Sequence, residues 1–492
     1  MGQAIDRDEF NAADYQQFGV RLHENLKALA KVLAKPGFGE GKGSVGAELE
    51  LYLIDDAGQP VLRNVELQQM SNDPQVDLEL NRFNLECNLS AVAVDQGPFL
   101  AIENEMQQKL EMLNGLDKAV GVIPIGILPT LTEQHFGMHA MTDQRRYHFL
   151  NKILQDWHQG PFKLSINGRE PLEFSHPDIT LEGSCTSFQL HYKVRPDEFA
   201  RVWNIAQLVA PVALALSTNS PFMLGNRCWM ESRVPVFKQS IDGRRQRGSF
   251  WREQPRVSFG QGWLRASPLE IFSENVQIFP ALIPIISDEA PLAVTTQGEL
   301  PSLNEMNLHN GTVWTWNRPI YSKDDGGHLR IEVRYLPAGP TPFDMMATSA
   351  FLIGLFEGLK DDIDQLITGL PFRYAEYNFY RAAEYGMNSR LVWPESKQNG
   401  LRESNLERIV ESLLYKAEKG LNAVNIDSAQ IKRYLDNIAA RISEGVNGAV
   451  WQRREYEYQL LHHSREEALS RMIQQYRELS LSNQSVTEWP IR

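Results

Sequence analysis

In the stretch Ser44-Val45-Gly46-Ala47-Glu48-Leu49-Glu50-Leu51-Tyr52-Leu53-Ile54, Glu48 and Glu50 fall on one face of an extended chain. Leu49, Leu51 and Leu53 fall on the other, and Asp55-Asp56-Ala57-Gly58 follows as a turn. A period of two predicts a half-buried strand rather than a helix. Two carboxylates about 7 Å apart on one strand face repel unless something positive lies between them. A solvent-facing strand edge tolerates such a pair, and a site for a cation uses it.

The same alternation recurs at 83–89, 187–194 and 329–335. Glu79 and Glu86 flank Arg82-Phe83-Asn84, Gln189 and His191 share a face, and Arg330, Glu332 and Arg334 line a third segment. Several strands far apart in sequence thus present polar faces, which favours a shared site over isolated edges. Helical periodicity covers 10–34, where Lys35-Pro36-Gly37 ends it, and then 98–119, 142–158, 196–217 and 342–369. Strands and helices mix without a regular βαβ rhythm, so the fold class is α+β. From about residue 400 only helical stripes are expected: Leu406, Ile409, Val410, Leu413 and Ala417, then Ile431, Tyr434, Leu435, Ile438 and Ile442, then one Arg- and Glu-rich helix at 449–480. This divides the chain into a main α+β domain at 1–390 and a helical C-terminal appendage at 391–492.

At 492 residues with 42% hydrophobic and 23% charged side chains, the chain can close a large core, which excludes wholesale disorder. A net charge of −13 disfavours a polyanion-binding surface, so no nucleic-acid partner is expected. Three dispersed cysteines, Cys87, Cys185 and Cys228, form no disulfide framework and point to a reducing compartment. The polar, acidic first residues lack a secretory pattern, and the uncharged stretch 202–226 is broken by Asn and Pro. A soluble cytoplasmic protein without a membrane partner is the expectation, and a homo-oligomer is compatible with it.

Gly41-Lys42-Gly43-Ser44-Val45-Gly46 fits GxGxxG but leads into a strand, whereas the dinucleotide fingerprint opens a helix. Lys42 is followed by Gly43 where a Walker loop needs Ser or Thr, so this is read as a plain loop. Carboxylates with a single imidazole suit hard cations such as Mg²⁺ or Mn²⁺, and the arginines beside them suit an anion, phosphate above all.

Taken in order, the segments Gly46–Glu50, Leu85–Asn88, Cys185–His191, Gly311–Arg318 and Arg330–Arg334 resemble those of the glutamate–cysteine ligase type 2 family, and Asn378–Gly386 resembles its late helix. The resemblance covers roughly 40–390. It implies a curved, mainly antiparallel glutamine synthetase-like sheet and an ATP-dependent ligase that joins a carboxylate, glutamate in the family, to an amine such as cysteine. It implies Glu48, His191 and Glu332 around one divalent metal and Glu50, Glu79 and Glu86 around another. Arg330 and Arg334 would then face ATP phosphates, and Arg318 and Arg233 would neutralise a substrate carboxylate or the transferred phosphoryl group. Gln189 is placed at the cofactor.

Some relatives carry Asn where His191 stands, which makes the glutamates the firmer ligands. Cys87 and Cys185 are read as buried packing thiols, since this chemistry needs no thiol. Trp314 and Trp316, expected to alternate on a strand before Arg318, either wall an adenine or substrate pocket or form a core pair. Two other readings of the same fold are a guanidino kinase and a non-catalytic binding subunit.

Overall fold

The computed structural model of the chain describes residues 9–244, 253–394 and 400–490. Its centre is a curled, seven-stranded antiparallel sheet made of β1 (Ser44–Ile54), β2 (Val76–Leu78), β3 (Asn84–Ala93), β4 (Gly121–Ile123), β7 (Phe188–Val194), β10 (Asn317–Ser322) and β11 (His328–Val333). The strand order is β10-β11-β7-β1-β3-β2, with β4 pairing the far part of β1. Three small hairpins lie outside it: β5 (Phe162–Ile166) with β6 (Leu172–His176), β8 (Phe222–Met223) with β9 (Asn226–Arg227), and β12 (Arg390–Pro394) with β13 (Leu401–Asn405).

The alternation in β1 sorts the sheet into two faces. Leu49 and Leu51 pair with Cys87 and Leu85 of β3, and all four are buried in the main apolar cluster with Phe99, Ile102 and Met106 of the helix Pro98–Leu116. Glu48 and Glu50 pair instead with Asn88 and Glu86 on the opposite face. Burial of the leucines fixes the register, because a one-residue slip would put every carboxylate into the helix layer.

The helix Phe199–Ser217 is long and apolar enough to cross a membrane by length and composition, but 94% of its most apolar window is buried inside the protein, as a core helix requires. The C-terminal helices Leu406–Ala423 and Ser428–Glu444 share the main apolar cluster rather than forming one of their own. The first crosses the helix Pro342–Gly358 at glycines, where a Cβ at Gly420 would stand 1.9 Å from the Gly354 carbonyl oxygen. The second buries Arg441 against Asp344 at 3.0 Å.

Several expected elements differ in extent. The boundary expected at 390/391 falls inside β12, and β13 is a strand beyond residue 400, where none was expected. The pattern at 342–369 breaks into Pro342–Gly358 and Ile363–Gly369. The helix expected at 449–480 is two, Gly448–Gln459 and Arg465–Leu481, because Ser464 caps a new start by accepting from the Glu467 N–H.

Candidate active site

Cross-strand register gathers the expected residues on one sheet face. Glu48 stands opposite Gln189, Glu50 opposite Glu86, Glu332 opposite both His191 and Arg318. Glu79 lies just past β2 and turns its carboxylate back to accept from the Leu80 N–H at 3.1 Å. Two electrically different halves result.

In the first half, Glu50, Glu79 and Glu86 each offer an oxygen within 4.8 Å of the other two. Burial and then Glu79 push the Glu50 carboxyl up to about 7, against the opposing pull of the Ser187 hydrogen bonds and Arg334. Burial, followed by the charges of Glu48, Glu79 and Glu50, drives Glu86 well above the carboxylate range, and burial raises Glu79 against the Leu80 N–H and Arg146. Glu50 is held in place by the Ser187 N–H at 2.7 Å, the Ser187 hydroxyl at 2.8 Å and the Gln189 amide at 2.9 Å. Three half-buried carboxylates that resist ionising together are an oxygen donor set suited to a hard divalent cation.

The second half is filled with arginine. Arg318 donates to Glu332 Oε2 through Nε at 3.2 Å and Nη2 at 2.9 Å, while Arg334 pairs with Glu332 Oε1 and donates to Gln189 Oε1 at 2.6 Å. Burial would raise the Glu332 carboxyl, but these two guanidinium groups outweigh it and hold it far below the ordinary range. Glu48 is lowered too, His191 and Arg318 overcoming its burial. Arg330 donates from Nε to His191 Nδ1 at 3.1 Å. On the other side of the ring, His191 Nε2 lies 3.2 Å from Glu48 Oε1. Glu48, His191 and Glu332 are therefore adjacent, with His191 held by Arg330 and Glu332 by Arg318 and Arg334, whereas no arginine or lysine pairs with the Glu50 trio among the described residues.

Two expected cofactor residues sit elsewhere. Trp316 precedes β10 rather than lying on it, is 2% exposed, and packs against Phe237 and Phe379 at ring separations of 5.7 and 5.5 Å. Trp314 is half-buried against the same core, its N–H on the Arg256 carbonyl. The pair therefore serves packing, because the chain turns inward before the strand begins. Arg233 is buried, with Nε on Glu231 at 2.6 Å and Nη2 on the Tyr335 carbonyl at 2.6 Å. Its charge is balanced by Glu231 instead of standing free for a substrate. Cys87 points into the helix layer, and burial raises its thiol to about 12; burial also raises Cys185.

Sequence reasoning passed over Glu182, in the short helical turn Ile179–Ser184 just ahead of the Cys185–His191 segment. Burial, then Glu79 and Glu50, push its carboxyl up to about 8, and it makes no hydrogen bond or ion pair among the described residues. Its signal was only proximity to that segment. The sequence reading took His-x-x-x-His spacings to be absent, yet His135 and His139 have one; His135 ends a 3-10 turn and bonds Thr132, off any zinc-binding helix.

Residues 44–264 match the family model of glutamate–cysteine ligase family 2 (GCS2). No curated protein matches the chain by sequence. Among solved structures, the glutamate–cysteine ligase of Francisella tularensis in complex with AMP aligns over 90% of this chain and 91% of its own, with TM-score 0.53 and 13% identity. A bifunctional glutathione synthetase from Pasteurella multocida aligns over 93% of this chain with TM-score 0.50 and 11% identity, and this chain spans about half of it, 53%. These likenesses establish a glutamine synthetase-like fold. The sequence likeness to glutamate–cysteine ligase family 2 (GCS2) thus covers residues 44–264, the part of the chain that carries Glu48, Glu50, Glu79, Glu86 and His191.

Proposed function

We propose that this protein is an ATP- and divalent-cation-dependent ligase that activates a carboxylate, glutamate in the first instance, as an acyl phosphate and passes the acyl group to an amine. The observation that carries this reading is the half-buried trio Glu50, Glu79 and Glu86 beside Arg318 and Arg334 on one sheet face. When bound, Mg²⁺ or Mn²⁺ would neutralise phosphate charge and polarise the bond to the γ-phosphorus. Glu50, Glu79 and Glu86 would hold it, while at Glu48, His191 and Glu332 a second cation would compete with the arginines for the same oxygens.

Arg318 and Arg334 lie where they can exchange Glu332 for the transferring phosphoryl group and steady charge on the acyl phosphate and its tetrahedral successor. Gln189 keeps Arg334 aimed. No thiol or hydroxyl of the chain forms a covalent link in this scheme. The complete glutamate set favours catalysis over a purely binding role. The test is ADP release from ATP and Mg²⁺ with pools of amino acids and amines: glutamate-dependent release that rises with one amine supports the reading, and phosphate retained on a guanidino product favours a kinase.

A further inference from the structure

A cleft of about 520 Å³ opens between the helices Ala12–Leu33, Arg145–His158 and Leu269–Ile278, and none of the residues lining it belongs to the glutamate and arginine cluster. Its walls are largely apolar: Leu22 from the first helix, Trp157 from the second, Val276 from the third, with Phe279 and Pro280 just beyond. Gly19 also lines it, and a Cβ built there would meet no neighbouring group within 4 Å.

Arg256 stands behind this wall. Its guanidinium carbon lies 5.6 Å from the centre of the Trp157 ring and 5.8 Å from that of Phe279, and its Nη2 donates to the Pro280 carbonyl, so three of the lining residues hold it. Nη1 donates to the Thr312 carbonyl at 2.9 Å and reaches the Thr312 hydroxyl at 3.4 Å. Those contacts use at most three of five N–H donors, and every partner is uncharged. Arg256 is 8% exposed, and among the described residues no carboxylate pairs with it. Burial alone pushes its guanidinium down to about 9, with no opposing charge to hold it up. The two other arginines buried to this degree, Arg233 and Arg441, each have a carboxylate, from Glu231 and Asp344.

A buried cation without a counter-charge is costly, and two ring faces offset only part of that cost. A ligand that brings an anion on a flat apolar body supplies what is missing and covers the walls as well. A phosphate would carry excess charge into an apolar cleft that offers one cation. We propose that this cleft is a small-molecule site for an aromatic carboxylate, with the ring against Trp157 and Phe279 and the carboxylate paired with the free donors of Arg256. The site lies outside the ligase reading and does not depend on it.

The test is calorimetric titration of the full chain with 2-naphthoate, with the neutral 2-naphthylmethanol, and with inorganic phosphate. Naphthoate is expected to bind about 10- to 100-fold more tightly than naphthylmethanol, the difference made by one charge-assisted contact, and phosphate is expected not to bind. Arg256→Met should remove the preference for the acid over the alcohol. Gly19→Leu, which fills the cleft from the helix without touching Arg256, should abolish binding of both while the protein stays folded. Gly115→Leu, on an exposed helix position away from the cleft, should bind as wild type does. Wild-type protein that does not bind naphthoate, that binds the alcohol equally well, or that binds phosphate comparably overturns the proposal. So does naphthoate binding that survives Gly19→Leu.

Discussion

Glu50 and Arg334 are joined through one side-chain amide: Gln189 donates to Glu50 Oε1 at 2.9 Å and accepts from Arg334 Nη1 at 2.6 Å. The amide fits there because it can satisfy an acceptor and a donor at once, as neither a carboxylate nor an alkyl chain can. Gln189→Leu keeps the volume and leaves both groups short of a partner. It is expected to cost about 1–3 kcal/mol of stability and to lower kcat more than it raises the KM for ATP. Denaturant melts with steady-state kinetics check this, and an unchanged kcat would mean the bridge is only structural.

The two halves respond oppositely to loss of a carboxylate. Glu86→Gln removes mutual repulsion, so the cation-free protein should become more stable while its thermal shift with Mg²⁺ or Mn²⁺ disappears. Glu332→Gln leaves the buried Arg318 and Arg334 without their shared partner, and breaking a buried pair in this way costs about 3–5 kcal/mol. Both variants should lose turnover. A Glu332→Gln protein that melts like wild type would contradict the ion-pair geometry.

Stability should also depend on pH with a definite sign. Glu50, at about 7, and Glu182, at about 8, bind protons in the folded state at pH values where the unfolded carboxyls, at 4.5, have lost them. The native state therefore holds more protons, and cation-free stability falls as pH rises from about 5 to 8. A bound cation favours the ionised forms, so the melting-temperature gain from Mn²⁺ should grow over the same window. A flat profile would place these carboxylates in contact with water.

The tail is tested by Gly420→Ala, whose methyl would collide with the Gly354 carbonyl. Overpacking of this kind costs about 1–3 kcal/mol or more, so a large fall in melting temperature is expected. A chain cut at residue 400 should fail to fold, since it loses side chains from the main core; a soluble, active truncated chain would make the tail a true appendage.

What was legible in the sequence follows the physics of each element. β1, β3, β7 and β11 were readable because one face of each is apolar and the other charged, a pattern carried by neighbours two residues apart. The glutamates and arginines were readable as types on those strands. Which side chain meets which across the sheet was not, because it depends on register between strands far apart in the chain, as Glu48 opposite Gln189 and His191 opposite Glu332. Trp316 showed the alternation of a strand residue, yet its burial is set by Phe237 and Phe379 from two distant helices. Glu182 sits in a turn with no period, and the tail's docking depends on glycines that carry no hydrophobic signal.

The central claim is that ATP is cleaved at the γ-phosphorus to make an acyl phosphate. The most direct measurement is product analysis with ATP, Mg²⁺, glutamate and hydroxylamine in place of the amine. The account predicts ADP and phosphate in step with glutamyl hydroxamate. AMP and pyrophosphate appearing with product, or ADP formed without hydroxamate, would contradict it.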